Sequence, residues 1–113
     1  MQLESEEITG EVTRVRLTGT MDLAGAEEIG LRLSVLAGSR KYLLVDLEGV
    51  SFLSSMGIRG LLGAAKTVLR RGGKMVLIKP NATVEKVLTA TGCDGLMPIA
   101  GSDEEALGLL APA

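Results

Sequence analysis

The hydrophobic and polar positions of the first twenty residues are β-like. Leu3 to Ile8 is a candidate strand with poor alternation, Val12 to Thr18 alternates more clearly, and a turn signal at Thr9-Gly10 separates the two. The second stretch places Arg14 and Arg16 on the face opposite its apolar side chains. These residues predict an N-terminal β-hairpin.

Apolar residues recur at helical spacing in four later segments, most of which begin at a capping residue or end at a glycine. The predicted helices run from Asp22 to Gly38, over residues 56–71, from Asn81 to Gly92, and onward from a capping box formed by Ser102 and Glu105. Gly25 and Gly30 are expected to weaken the first helix by roughly 1 kcal/mol each against alanine.

Two short continuous apolar runs lie between these helices, Tyr42 to Leu47 and Met75 to Ile78, and both are typical of strands buried on both faces. Glu48-Gly49 predicts a turn after the first run. Leu96 to Ala100 is a candidate edge strand, because Pro98 argues against a central position. The order of elements predicts an α/β fold in one domain over residues 1–113, with a mixed four- to five-stranded sheet, an N-terminal hairpin and about four helices packed on it.

Composition and charge exclude several classes of function. The chain has no histidine and one cysteine, Cys93, so it can build neither a Ser-His-Asp nor a Cys-His catalytic unit, nor the usual zinc sites. Its net charge of −2 and its two aromatic residues, Tyr42 and Phe52, argue against nucleic-acid binding. The N-terminus is polar and no apolar run could span a bilayer, so we expect a cytoplasmic protein without membrane insertion. No cofactor, metal or small-molecule substrate is expected.

The most informative segment joins the first buried strand to the longest helix. Ser54 and Ser55 lie directly before this helix, where unpaired backbone N–H groups and the helix dipole favour negative charge. A serine at this position is most simply a helix cap, but a phosphoserine there would be well accommodated. The two roles are compatible, because one serine can cap while the other is modified.

The run D-L-x-x-V-x-F-L-S-S-M-G-I, from Asp46 to Ile58, resembles the signature of the STAS domains, a family that includes bacterial anti-sigma factor antagonists and the cytoplasmic tails of sulfate transporters. Three further stretches are similar to family motifs, so the resemblance covers nearly the whole chain: Leu17 to Asp22, Gly72 to Leu77, and Val84 to Gly92 with the following Leu96.

The resemblance implies a STAS-like fold and assigns roles to residues of this segment. Ser55 occupies the position of the family's phosphorylated serine, and Gly57 matches its glycine. Two positions depart from the family pattern, because Ser54 stands where the family has aspartate and Met56 where it has a second hydroxyl residue. The residues implied in partner binding are Asp22, Ser54, Ser55, Met56, Gly57, Ile58 and Arg59.

The function that the resemblance implies is binding and not catalysis. The unphosphorylated chain is expected to bind an anti-sigma factor with serine kinase activity, which would phosphorylate Ser55, and a phosphatase would reset the switch. A basic stripe of Arg59, Lys66 and Arg70 is either a solvated helix face or a rim that meets an acidic partner. Two alternatives remain: an accessory subunit or scaffold of a transporter or signalling assembly without a phospho-switch, and a module that binds a nucleotide or lipid.

Overall fold

Five strands form a single mixed sheet in a computed structural model that describes residues 1–9 and 11–110. The strands are β1 (Gln2–Glu7), β2 (Val12–Met21), β3 (Tyr42–Leu53), β4 (Lys74–Ile78) and β5 (Ile99–Ala100). The helices are α1 (Leu23–Ser39), α2 (Ser55–Arg70), α3 (Ala82–Ala90) and α4 (Asp103–Leu110). The α/β class, the hairpin and the four predicted helices are confirmed. Gly10, part of the predicted turn, lies outside the described residues.

The strands are ordered β1-β2-β3-β4-β5, with β1 antiparallel to β2 and the remaining pairs parallel. Right-handed crossovers between sequential parallel neighbours place their helices on one face. Accordingly, α1, α2 and α3 pack on the face that carries Val15, Leu43 and Leu77, whereas α4 packs on the opposite face over Leu44 and Val76. The main core therefore lies under the first three helices.

The turn predicted at Glu48-Gly49 is wrong, because β3 continues through both residues to Leu53. The register between β2 and β3 shifts there, so that Arg16 pairs with Asp46 and Thr18 pairs with Gly49. One extra residue on β3 makes this a β-bulge, and a glycine suits it because an added Cβ would lie 3.1 Å from the Leu17 carbonyl oxygen. A bulge and a turn share the same local glycine signal.

Two further boundaries differ from the prediction. The strand β2 extends beyond Thr18 to Met21, and only Ile99–Ala100 of the predicted last strand pairs with β4, after a 3-10 turn at Cys93–Gly95.

The prediction that Gly25 weakens α1 is also wrong. An added Cβ there would lie 2.1 Å from the Thr20 carbonyl oxygen, so the close approach of helix and strand requires glycine.

Candidate functional site

The carboxyl ends of β2 and β3 bring two helix N-termini side by side. Met21 and Leu53 are paired at the ends of their strands. The next residue in each case caps a helix: Asp22 accepts a hydrogen bond from the Gly25 N–H at 2.7 Å, and Ser54 begins α2. Because both helices start at the same edge of the sheet, their positive dipole ends favour negative charge in this region.

The hydroxyl of Ser54 both donates and accepts a structural hydrogen bond. Its Oγ donates to the Met21 carbonyl oxygen at 2.7 Å and accepts from the Gly57 N–H at 3.2 Å. The Ser54 N–H donates to the same carbonyl at 3.0 Å. Ser54 is thus the N-cap of α2 and also ties the start of that helix to the end of β2.

Ser55, by contrast, is exposed at the first position of α2. Among the described residues, its side chain takes part in no hydrogen bond. It stands where the first backbone N–H groups of a helix lack intrahelical partners. Of the two adjacent serines, Ser55 is therefore the one whose hydroxyl is open to an enzyme and whose surroundings favour an added phosphate.

Gly57 and Ile58 lie inward of this surface. Gly57 is buried, and an added Cβ would approach the Leu53 and Met21 side chains to 2.8 Å. Ile58 is half-buried against the main core. These two residues set how closely α2 packs on the strand ends, whereas the predicted contacts Asp22, Ser55 and Met56 lie at the surface.

Large exposed apolar side chains lie within a few residues of the start of each of the two helices. Leu23 is 54% exposed, Phe52 50% and Met56 39%. The exposure of Met56 agrees with the sequence prediction, but Leu23 and Phe52 were not predicted as surface contacts. Strict alternation after the buried Val50 would have turned Phe52 inward. A second bulge at Ser51, between the pairs Gly19 with Val50 and Thr20 with Phe52, reverses that order.

The basic stripe on α2 is solvent-exposed at Arg59, Lys66 and Arg70. None of the ion pairs found within residues 1–9 and 11–110 involves these three side chains. The stripe starts one turn after Ser55, so Arg59 is its member nearest to the apolar surface, and Lys66 and Arg70 lie farther along α2. This arrangement suits a partner that carries acidic groups beside its own apolar contacts.

Perturbed ionisable groups lie on the opposite face of the sheet, under α4. Burial raises the pKa of Asp46, but hydrogen bonds from the Glu48 N–H and from Arg14, with the nearby positive charges, more than offset it and hold that pKa below its usual value. The hydrogen bonds that Arg14 donates to Asp103 and to Asp46 raise the pKa of Arg14 despite its burial. Since this cluster is remote from Ser55, it stabilises the fold and supplies no general base to the serine.

Other chemistry-bearing residues do not gather into a site. Cys93 is buried and contacts the Thr91 hydroxyl at 3.0 Å. Across the part of the chain that the structure describes, no three histidine, cysteine or acidic residues are grouped to hold a metal ion. No helix in that part combines the length and the apolar character needed to cross a bilayer.

Comparison with known proteins connects this geometry to a family. The family model of the STAS domain matches residues 4–106 of this chain. An anti-sigma F factor antagonist of Lysinibacillus sphaericus is 30% identical over 94 residues, covering 81% of this chain and 80% of that protein.

Two solved structures of SpoIIAA extend the comparison. The unphosphorylated form, an anti-sigma factor antagonist, superposes with a TM-score of 0.78 at 28% identity, covering 96% of this chain and 95% of that one. The phosphorylated form, described as a Bacillus cell fate determinant, gives 0.74 at 27% identity over 97% of this chain and all of the other. Because the family model matches residues 4–106 of the 113 in this chain, the chain belongs to the STAS domain family.

Proposed function

We propose that this chain is an anti-sigma factor antagonist whose binding to an anti-sigma factor is switched by phosphorylation of Ser55. The observation that carries the proposal is the contrast between adjacent serines: Ser54 is held by hydrogen bonds, while the exposed side chain of Ser55 forms none with the residues that the structure describes. The names of the relatives support the antagonist role, and the two forms of SpoIIAA support a phospho-switch. The proposal treats residues 1–113 as one cytoplasmic domain that acts by binding and not as an enzyme.

The docking surface in this proposal consists of Leu23, Phe52 and Met56 around Ser55, with Asp22 and Arg59 at its rim. Exposed aromatic and methionine side chains are enriched at the cores of protein interfaces, where they supply apolar area. Phe52 is the expected anchor, because half of the side chain is exposed three residues before the serine and it is the single phenylalanine of the chain.

Phosphorylation would place a charge of about −1.5 to −2 inside this apolar surface. Burying that charge against a partner without a matching cation is costly, and the added oxygens also prevent close packing. A 100-fold loss of affinity requires only about 2.7 kcal/mol, which one desolvated phosphate can supply. In the proposed cycle an anti-sigma factor with serine kinase activity adds the phosphate and a phosphatase removes it.

The proposal is tested by mass spectrometry and by binding measurements. Protein purified from the native organism should carry one phosphate, and peptide mapping over residues 41–70 should place it on Ser55. In calorimetry with the anti-sigma factor of the same organism, the Ser55→Ala variant should bind and the Ser55→Asp variant should bind at least about 100-fold more weakly. The Ser54→Ala variant is the matched control and should still become phosphorylated on Ser55.

Two outcomes would overturn parts of the proposal. If Ser55→Asp bound as tightly as Ser55→Ala, the charge-switch mechanism would fail. If no phosphate appeared on Ser55 and the complex were stable under all growth conditions, a scaffold or accessory-subunit role without a phospho-switch would replace it. The Phe52→Ala variant separates docking from the switch, because it should weaken binding by about tenfold or more while leaving phosphorylation of Ser55 possible.

A further inference from the structure

An apolar groove of about 210 Å³ runs between α1 and α2, next to the Ser55 surface. Its floor includes the side chains of Met21, Ile29 and Leu33, all buried in the main core. Arg59 lines one end, at the N-terminal turn of α2, and Ser34 lines the groove farther along α1. A mostly apolar cleft with a few polar groups at defined places is the usual form of a small-molecule site.

Three glycines keep this groove open at a cost to the helices that form it. Gly30 on α1 and Gly60 and Gly63 on α2 all line it. An added Cβ would meet nothing within 4 Å at Gly30 or Gly63, and at Gly60 only the tip of Met21 at 4.0 Å. Packing therefore does not require glycine at these positions, and alanine would strengthen both helices. The absence of side chains at these three positions leaves the groove open.

The shape and charge of the groove define the chemistry of an occupant. A cavity of about 150 Å³ in a protein core holds benzene, so 210 Å³ corresponds to roughly eight carbon atoms. The guanidinium of Arg59 has no carboxylate within 4.0 Å among the residues that the structure describes. A planar carboxylate matches such a guanidinium better than any neutral group does.

We propose that the α1–α2 groove binds a medium-chain carboxylate, with its head on Arg59 and its alkyl chain over Met21 toward Ser34. This site borders the docking surface around Ser55 and shares Arg59 with its rim, but it does not depend on a protein partner. Its floor is nevertheless connected to Ser54, because the carbonyl oxygen of Met21 accepts the hydrogen bonds that the Ser54 hydroxyl and the Ser54 N–H donate. A ligand that displaces Met21 therefore acts on the residue that positions the start of α2.

Octanoate is the probe that tests the proposal, in an NMR titration of the unphosphorylated chain. We expect saturable shifts of the Met21 methyl group and of the Gly30, Gly60 and Gly63 amides, with smaller shifts at Ser54. 1-Octanol, which has the chain without the charge, should bind about tenfold more weakly, and acetate, which has the charge without the chain, should not saturate.

Two variants and one matched control make the result specific. Gly63→Leu fills the groove and should abolish the octanoate shifts, as should Gly30→Leu if the first variant folds poorly. Gly108→Leu makes the same substitution on α4, where an added Cβ also meets nothing within 4 Å, and should leave binding unchanged. Arg59→Gln should weaken octanoate by about tenfold and leave octanol unaffected.

The proposal is overturned if wild-type protein gives no saturable shift, or if the shifts persist in both groove-filling variants. Equal affinities for octanol and octanoate would overturn the role of Arg59 as the head-group contact. Neither result would bear on phosphorylation of Ser55, because the titration uses no kinase and no anti-sigma factor.

Discussion

The charged cluster under α4 allows a quantitative prediction about the stability of the fold. Arg14 on β2 donates to Asp46 on β3 at 2.7 Å and to Asp103 at the start of α4. The Asp46 side chain is almost completely buried, and its other oxygen accepts from the Glu48 N–H at 2.9 Å. Replacing Arg14 by methionine keeps the apolar stem of the side chain but leaves the Asp46 carboxylate without its main cation.

The expected cost follows from the burial of the two side chains. Removing one partner of a buried ion pair typically costs about 3–5 kcal/mol, because the remaining charge is buried and uncompensated. Asp46 keeps the Glu48 N–H and a distant contact with Arg16 at 3.6 Å, so we expect the lower end, about 3 kcal/mol. For a chain of this size that corresponds to a fall in Tm of about 12 °C.

The pH dependence provides a second and more specific check. The pKa of Asp46 is lowered in the folded protein, so its contribution to stability is present above the unfolded pKa of about 3.9 and is lost as pH falls through the folded value. Burial raises the pKa of Asp46 and Arg14 lowers it, so removing Arg14 raises the pKa of Asp46 in the folded protein. The gap in unfolding free energy between wild type and variant should therefore be largest near neutral pH and shrink on acidification.

Urea unfolding followed by circular dichroism at pH 7 and at successively lower pH measures both effects. The matched control is Arg16→Met: the side chain of Arg16 is 53% exposed, against 11% for Arg14, so it should cost less than about 1 kcal/mol. The double variant Arg14→Met with Asp46→Leu removes the orphaned charge and should recover much of the loss. Equal costs for Arg14→Met and Arg16→Met, or a gap that widens on acidification, would refute the reasoning.

Packing near the serines gives two further expectations. Ser54→Ala should lower the unfolding free energy by about 1 kcal/mol through loss of the helix cap, and thermal unfolding that matches wild type would mean that the cap adds nothing. Gly57→Ala brings a Cβ to 2.8 Å from the Leu53 and Met21 side chains and should cost about 1–3 kcal/mol in urea. Gly108→Ala, in open space on α4, should instead gain about 0.5–1 kcal/mol, and the same sign for both alanines would contradict the packing argument.

Local patterns were sufficient to predict most of the architecture. Capping residues such as Asp22 and Asn81 lie where the helices begin, and the side chain of each accepts the expected hydrogen bond from the backbone N–H three residues later. The continuous apolar runs became the central strands β3 and β4 because both of their faces are covered. In each case the decisive interaction lies within a few residues, where sequence spacing determines geometry.

The features that were missed depend on contacts distant in sequence. Whether Gly49 makes a turn or a bulge depends on the register with β2, and the exposure of Phe52 depends on the second bulge in that register. The sequence shows Asp46 as a polar residue inside an apolar strand, but local spacing cannot identify its partner Arg14, which lies 32 positions away. The requirement for Gly25 likewise appears only when Thr20 is placed against it.

The replacement of the family's aspartate by Ser54 changes charge without removing the helix cap. A carboxylate at this position could accept from the Gly57 N–H, but it could not donate to the Met21 carbonyl, whereas the Ser54 hydroxyl does both. The neutral residue also removes one negative charge beside Ser55, so a phosphate there would meet less repulsion from its neighbour. The substitution thus lowers the electrostatic opposition to phosphorylation and leaves in place the geometry that exposes Ser55. A kinase for this chain would have to recognise the serine without an adjacent carboxylate, through surface groups such as Phe52 and Met56.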